Sequence, residues 1–207
     1  LYNKKMKIID WTVTREVNAS INVCIWNQWD HDHLNYTHRG YSQTQILFED
    51  DGTTLMFHRL KVPYIPFLKI NTVEMTSFIK DKNTVVTYGF QLGIQSLSTT
   101  KYEEISKDKC LVTLNYKFKL SGIQVLLYPI LKILLPIWNE RAWKEDLPLK
   151  ERRQKVKRMN FKDFEGLPKN IEDRKFDGEI DFNIPVWRLR KSDNKLTEHI
   201  FYNFKKN

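Results

Sequence analysis

Ile123-Gln-Val-Leu-Leu-Tyr-Pro129-Ile-Leu-Lys132-Ile-Leu-Leu-Pro136-Ile-Trp138 is the stretch on which the fold turns. It is almost wholly apolar, and it opens a helical pattern that continues, now charged, to about Arg158. Pro129 and Pro136 predict kinks or a break, because proline removes a backbone donor and crowds the preceding turn. Lys132 and the shortness of the apolar run argue against a membrane span, which needs about 20 consecutive apolar residues. Two placements stay open: contact with a membrane interface, or burial across the open mouth of a curved sheet. The second is favoured.

The residues before this helix supply the sheet. Residues 6–17 alternate and are β-branched, so they read as a strand. Asn18-Ala-Ser20 then caps a helix over 21–35, with Ile21, Cys24, Ile25 and Trp29 on one face and Gly40 at its exit. Residues 41–49 and 53–62 are strands split by the turn Asp50-Asp51-Gly52. Pro63 and Pro66 break the next segment. Strands follow at about 68–79, 83–92, 100–106 and 110–120, with turns at Asp81-Lys-Asn83 and Lys107-Asp-Lys109, and Gly122 ends the sheet. After Phe164 the chain turns irregular, with strands or an arm at 179–190 and 197–204. The order describes an α+β domain over residues 1–165, an antiparallel sheet curling around one long helix. Residues 166–207 form a C-terminal extension packing on that domain. The space between sheet and helix would be an apolar ligand cavity.

The chain has 207 residues and a net charge of +9, of which +8 falls after residue 100. Basic groups concentrate at Lys150, Arg152, Arg153, Lys155, Lys157 and Arg158. Such a run is read first as the solvated face of a helix, and second as a surface for anionic lipid or an acidic protein. Nucleic acid ranks low, since no recognition motif accompanies the charge. Cys24 and Cys110 build no disulfide framework and show no metal spacing, so a reducing cytoplasm is expected, with membrane association left open. The start, Leu1-Tyr-Asn-Lys-Lys-Met6, has no apolar signal-peptide core. Leu1 stands where Met would, so either the sequence is incomplete or something precedes it. A homo-oligomer is also left open.

Three of the five histidines cluster in Asn27-Gln-Trp-Asp30-His-Asp-His33-Leu-Asn-Tyr-Thr-His38. Two imidazoles and a later carboxylate make the facial triad that holds non-heme Fe(II), and the same set suits catalytic zinc. On a regular helix His33 and His38 diverge by about 140°, so they converge only if the helix ends or unwinds between them. Asp30 stands one turn before His33 and can orient its imidazole. Asn27 stands one turn earlier, where it either hydrogen-bonds within the catalytic site beside Asp30 or lies on the helix surface. His31 is expected to face solvent. Glu145 and Asp146 point about 100° apart on a helix, so one of them reaches the site, and Asp146 is preferred. The plain alternative for Asp146 is a salt bridge to Lys144 or Lys150. Trp26, Trp29, Tyr88, Phe90, Phe118 and Trp143 read as cavity walls or as ordinary core. His58, alternating with Met56 and Leu60, faces the cavity or sits in the core.

This element order resembles the START-like (SRPBCC, Bet v 1-like) helix-grip superfamily. Within it, Asn27-x-x-Asp30-x-x-His33-x4-His38 resembles the iron motif of the catalytic domain of Rieske-type ring-hydroxylating oxygenases. The resemblance covers about residues 6–160. It implies His33, His38 and Asp146 as iron ligands, with Asp30 bonded to a ligand histidine and passing electrons. That family draws electrons from a Rieske cluster on C-x-H and C-x-x-H motifs. Cys24-Ile-Trp and Cys110-Leu-Val match neither. Three possibilities follow: the cluster domain is missing upstream, a separate ferredoxin or reductase supplies electrons, or this chain performs no oxygenation. The last corresponds to the superfamily's non-catalytic members, which bind or transfer hydrophobic ligands and lipids.

Overall fold

The computed structural model describes residues 6–31, 33–50, 52–62, 65–79 and 83–160. The expected strands at 179–190 and 197–204, and the C-terminal extension, lie outside the described residues. Among the described residues there are seven strands: β1 (Met6–Val17), β2 (Ser42–Asp50), β3 (Thr53–Val62), β4 (Ile65–Ile79), β5 (Thr84–Gln91), β6 (Ile94–Ser106) and β7 (Lys109–Ser121). They form one antiparallel sheet in the order β1-β7-β6-β5-β4-β3-β2. The connection from β1 to β2 joins opposite edges of the sheet, and helices α1 (Ile21–Trp29) and α2 (His33–Thr37) carry it. A 3-10 segment (Gly122–Leu127) leads into the long helix α3 (Tyr128–Arg158), as an α+β helix-grip arrangement requires.

Four expectations are corrected. The helix over 21–35 is two helices, broken at Asp30. Strand β4 begins at Ile65, so Pro66 lies within it, and a register shift between Lys61 and Val62 accommodates the irregularity. Strand β6 begins at Ile94, six residues before the expected start. It is joined to β5 by Leu92 (φ 50°) and Gly93 (φ 75°). Both central residues are left-handed, the backbone that a two-residue hairpin demands and that glycine accepts readily. Finally, α3 runs unbroken through Pro136 and Pro148, while Pro129 stands in its first turn. Each internal proline frees the carbonyl four residues earlier. Lys132 and Lys144 are exposed, so water can take those carbonyls.

Among the described residues, apolar clusters hold the sheet to the helices. One gathers Val17, Ala19, Val23, Cys24, Ile25 and Trp29 with Phe78, Val85, Val112 and Trp143. The thiols of Cys24 and Cys110 meet inside it, 3.5 Å apart. The second gathers Ile9, Ile94, Phe118 and Leu120 against Val125, Tyr128, Leu131 and Leu135. Ser20 takes the N-cap position of α1, but its side chain does not cap. Its hydroxyl accepts from Lys157 Nζ at 3.0 Å, and its N–H donates to Gln154 Oε1 at 2.9 Å, tying α1 to α3.

The basic run is likewise corrected in part. Arg152, Lys155 and Arg158 are exposed, but Lys150 and Gln154 are buried and Arg153 is half-buried. Positions 146, 150, 153, 154 and 157 form one stripe of α3, and that stripe faces α1 and the site.

Candidate metal centre and cavity

The site is built where the predicted single helix fails. Asp30 leaves helical geometry with ψ 81°. His31 N–H folds back to Trp29 O at 2.9 Å, and α2 resumes at His33. His33 is the first residue of α2, and His38 is the residue just past its end, its N–H still donating to Leu34 O at 3.2 Å. This short, differently aimed helix brings the two rings to a centroid separation of 5.5 Å.

Each ring is fixed through its Nδ1. His33 Nδ1 donates to the backbone carbonyl of Asp30. His38 Nδ1 donates to Glu145 Oε2 at 2.6 Å, with the Tyr41 hydroxyl 2.9 Å from the same nitrogen. A proton on Nδ1 leaves the Nε2 lone pair free to ligate. Both Nε2 atoms face the same oxygen, Asp146 Oδ1, at 3.4 Å from His33 and 3.1 Å from His38. His33 Nε2 and Asp146 Oδ1 are buried and lack a hydrogen-bond partner. Buried polar atoms rarely go unsatisfied. Ligand atoms of His33, His38 and Asp146 all lie within 4.8 Å of one another. A divalent cation would satisfy these atoms together, and two imidazoles with one carboxylate suit Fe(II) or zinc.

The second oxygen of Asp146 accepts from Lys150 Nζ at 3.2 Å, so the salt bridge and the histidine contacts coexist on one carboxylate. Burial alone would raise the Asp146 carboxyl, but the Lys150 ammonium, then His33 and His38, hold it well below the ordinary carboxylate range. Burial likewise pulls His38 down, yet Asp146 and Glu145 outweigh it and raise its pKa. A metal would compete with a proton for the Nε2 of His38.

The three residues open onto a cavity of about 400 Å³. Leu131, Leu134, Leu135, Trp138, Ala142 and Trp143 of α3 form an apolar side. The sheet offers hydroxyls from Thr76, Thr87, Ser96, Ser98 and Thr100. His58 and Glu74 also line it, with His58 Nε2 3.6 Å from Glu74 Oε2 and Nδ1 2.8 Å from Thr44 Oγ1. His58 Nε2 and Asn139 Oδ1 are buried without a hydrogen bond.

Solved structures share this architecture. An aromatase/cyclase, Zhui from Streptomyces sp. R1128, matches with a TM-score of 0.59 at 12% identity over 72% of this chain and 96% of that one. The shared architecture is the helix-grip fold. A START superfamily protein from Mycobacterium smegmatis matches with a TM-score of 0.50 at 15% identity, covering 72% of this chain and 97% of that one. Dicamba monooxygenase bound to 3,6-dichlorosalicylic acid matches at 0.54 and 13% identity over 73% of this chain and 51% of that one. At such identities the likeness carries the helix-grip fold alone. No protein-family model matches the chain, and no curated protein sequence does.

Within the helix grip, the residues singled out in the sequence separate into groups. His33, His38 and Asp146 come together. His58, Phe118 and Trp143 line the cavity. Trp29, Tyr88 and Phe90 do not, which corrects the expectation. Trp29 is packed in the core. Thr87 and Gln91 are the cavity-facing residues of β5, so alternation sends Tyr88 and Phe90 to the other face. Asn27 and Asp30 also differ from expectation. Their side-chain oxygens both receive Arg153, Asn27 Oδ1 at 2.9 Å, and the guanidinium stacks on Trp26 at 4.0 Å. Asp30 serves His33 through its carbonyl, not its carboxylate. His31, expected in solvent, is buried, with Nε2 3.0 Å from Thr54 Oγ1.

Sequence reasoning missed Tyr41 and the anchoring role of Glu145, and named Lys150 as a salt-bridge partner of Asp146 only as the alternative to a ligand role. For Glu145 the signal was present. Adjacent acids on a helix diverge by about 100°, enough for one to meet the imidazole's Nδ1 and the other its Nε2.

Proposed function

We propose that this protein is a non-heme iron oxygenase-like protein that oxidises a hydrophobic substrate, of aromatic, isoprenoid or lipid-like class, inside the helix-grip cavity. One observation carries the reading: two imidazole Nε2 atoms and a carboxylate oxygen converge, and two of these three atoms are buried and unsatisfied. His33, His38 and Asp146 would hold Fe(II), which when bound supplies dioxygen activation through its open positions.

The chain's own residues do the rest. The Asp30 carbonyl and Glu145 hold the ligand tautomers. The apolar side of α3 orients the substrate and excludes water. The hydroxyl-lined sheet, with His58 and Glu74, receives the polar end of an amphipathic molecule. Cys24 and Cys110 are buried against each other, so in this reading the electrons come from another group, on a domain upstream or on a separate ferredoxin or reductase.

Metal analysis by mass spectrometry on the anaerobically purified chain tests it. About one iron per chain is expected in the wild type, falling at least tenfold in His33→Ala and Asp146→Asn. Unchanged metal in both variants, or failure to take up added Fe(II), sinks the proposal. About one zinc per chain would instead redirect the chemistry toward hydrolysis or elimination.

A second reading, a non-catalytic carrier of a hydrophobic ligand or lipid, is supported by the cavity of about 400 Å³. It requires a co-purifying apolar ligand and no metal dependence of its retention.

A further inference from the structure

The apolar segment that leads into and opens α3 has two faces. Inward, Val125, Tyr128, Leu131 and Leu135 pack on Ile9, Ile94, Phe118 and Leu120. Outward, Ile123, Leu126, Ile130 and Ile133 are 82%, 72%, 53% and 65% exposed. This corrects the favoured expectation of burial: the stretch covers the sheet with one face and shows apolar surface with the other. The helical region Gly122–Arg158 is long and apolar enough to cross a membrane by length and composition. Its inward face is part of the core, so crossing would tear it from the sheet. Only the outward face is free to meet lipid.

Other exposed apolar residues share this end of the molecule. Met6 pairs with Ser121, so the start of β1 lies beside the 3-10 segment. Gln124 Nε2 donates to Leu92 O at 3.2 Å, which brings the β5–β6 turn against the same segment. Thr72 pairs with Gln91, so Phe67 and Leu68 extend past that turn. Met6, Ile8, Phe67, Leu68 and Leu92 are all exposed. Single exposed apolar residues are ordinary, but a group gathered at one end marks an interaction surface.

The charges choose the occupant. Segments 6–9, 60–62, 65–72, 89–97 and 118–137, which build this end, contain Lys7, Lys61, Lys69, Lys119 and Lys132 and no Asp or Glu. A protein partner would be met by a rim of mixed polar groups. Lysines alone around an apolar face match lipid phosphates.

We propose that this end of the molecule docks on an anionic lipid bilayer. The outward face of the α3 segment enters the boundary between headgroups and acyl chains, and the lysines lie at the phosphates. The cavity reaches the same end, where Leu60, Val62, Ile70 and Leu131 line it. Asp146 lies about 20 Å further along the helix than Ile133, at 1.5 Å per residue. A bilayer-dissolved ligand would therefore enter away from the His33–His38–Asp146 cluster. The docking claim stands without the iron reading.

The test is co-sedimentation of the full chain with vesicles of phosphatidylcholine alone or with about a third phosphatidylglycerol, at low and at high salt. Binding is expected only with the anionic lipid and is weakened by salt. It should fall at least about tenfold in Leu126→Asp/Ile130→Asp and in Lys69→Glu/Lys132→Glu. These side chains are exposed, so thermal melts and metal content should match the wild type. That separates failure of docking from failure of the metal site. Absence of vesicle binding by the full chain overturns the proposal, as does undiminished binding by both variants. A concentration-dependent dimer dissolved by Leu126→Asp/Ile130→Asp, with vesicles unbound, also overturns it by making a second copy the occupant.

Discussion

Glu145 accepts the Nδ1 proton of His38 while Arg141 Nε approaches its other oxygen at 3.7 Å. It touches no proposed ligand atom of the metal, yet it decides which nitrogen of His38 is free to ligate. Glu145→Gln should therefore weaken metal affinity by roughly tenfold to a hundredfold, read by competition with a chromogenic chelator. Unchanged affinity would show that Tyr41 alone orients the ring.

His31 makes a different prediction. Burial, then the neighbouring His58 and His33, lower its pKa from 6.5 to about 4. The folded value lies below the unfolded one, so between these values the unfolded chain binds more protons. Its contribution to stability is then complete above about 6.5 and is lost as pH falls toward about 4. The loss is of the order of 3 kcal/mol. His31→Gln can keep a hydrogen bond to Thr54 without titrating. It should flatten the stability profile across that window in urea unfolding at a series of pH values. A profile of unchanged slope would assign the acid sensitivity elsewhere.

Helices and strands differ in how much of them the sequence reveals. Alternation locates most strand interiors, because side-chain parity is a property of each strand by itself. It misses the first six residues of β6, where Leu92 adopts a left-handed backbone that its side chain does not advertise. The break between α1 and α2 is hidden for a similar reason. Asp30 carries no breaking residue beside it, and its partner Arg153 lies 123 positions away. Spacing correctly sets Asn27 and Asp30 one turn apart. What they meet is a tertiary matter. His33, His38 and Asp146 were legible because the chemistry of the set limits the candidates. Trp29, Tyr88 and Phe90 were not, since an aromatic suits a core and a cavity equally well.

The Arg153 contact gives this scale its prediction. The guanidinium is mostly buried, and Asp30 less so. A double-mutant cycle of Asp30→Asn and Arg153→Gln should return a coupling of about 1–3 kcal/mol, with metal content near the wild-type level in Asp30→Asn. Metal lost from Asp30→Asn while stability holds would instead return the carboxylate to the site.

At the scale of the whole molecule, the cavity sets an apolar helix against a hydroxyl-bearing sheet, with the candidate metal ligands toward the C-terminal part of α3. This division makes ligand capture and metal binding separable. Ser98 lines the sheet side, and β6 is an interior strand of the sheet, so a larger side chain there projects into the cavity without removing a ladder bond. Ser98→Phe should fill space that a ligand needs. Affinity for a fluorescent hydrophobic probe should drop about tenfold or more, since each buried methylene of ligand displaced is worth about 0.8 kcal/mol. The metal content should not change, because the ligand atoms belong to α2, its end and α3. If Ser98→Phe loses the metal as well, the sheet and the metal centre form one cooperative unit. If probe binding survives, the ligand lies along α3 rather than across the sheet, and the hydroxyls serve water instead of substrate.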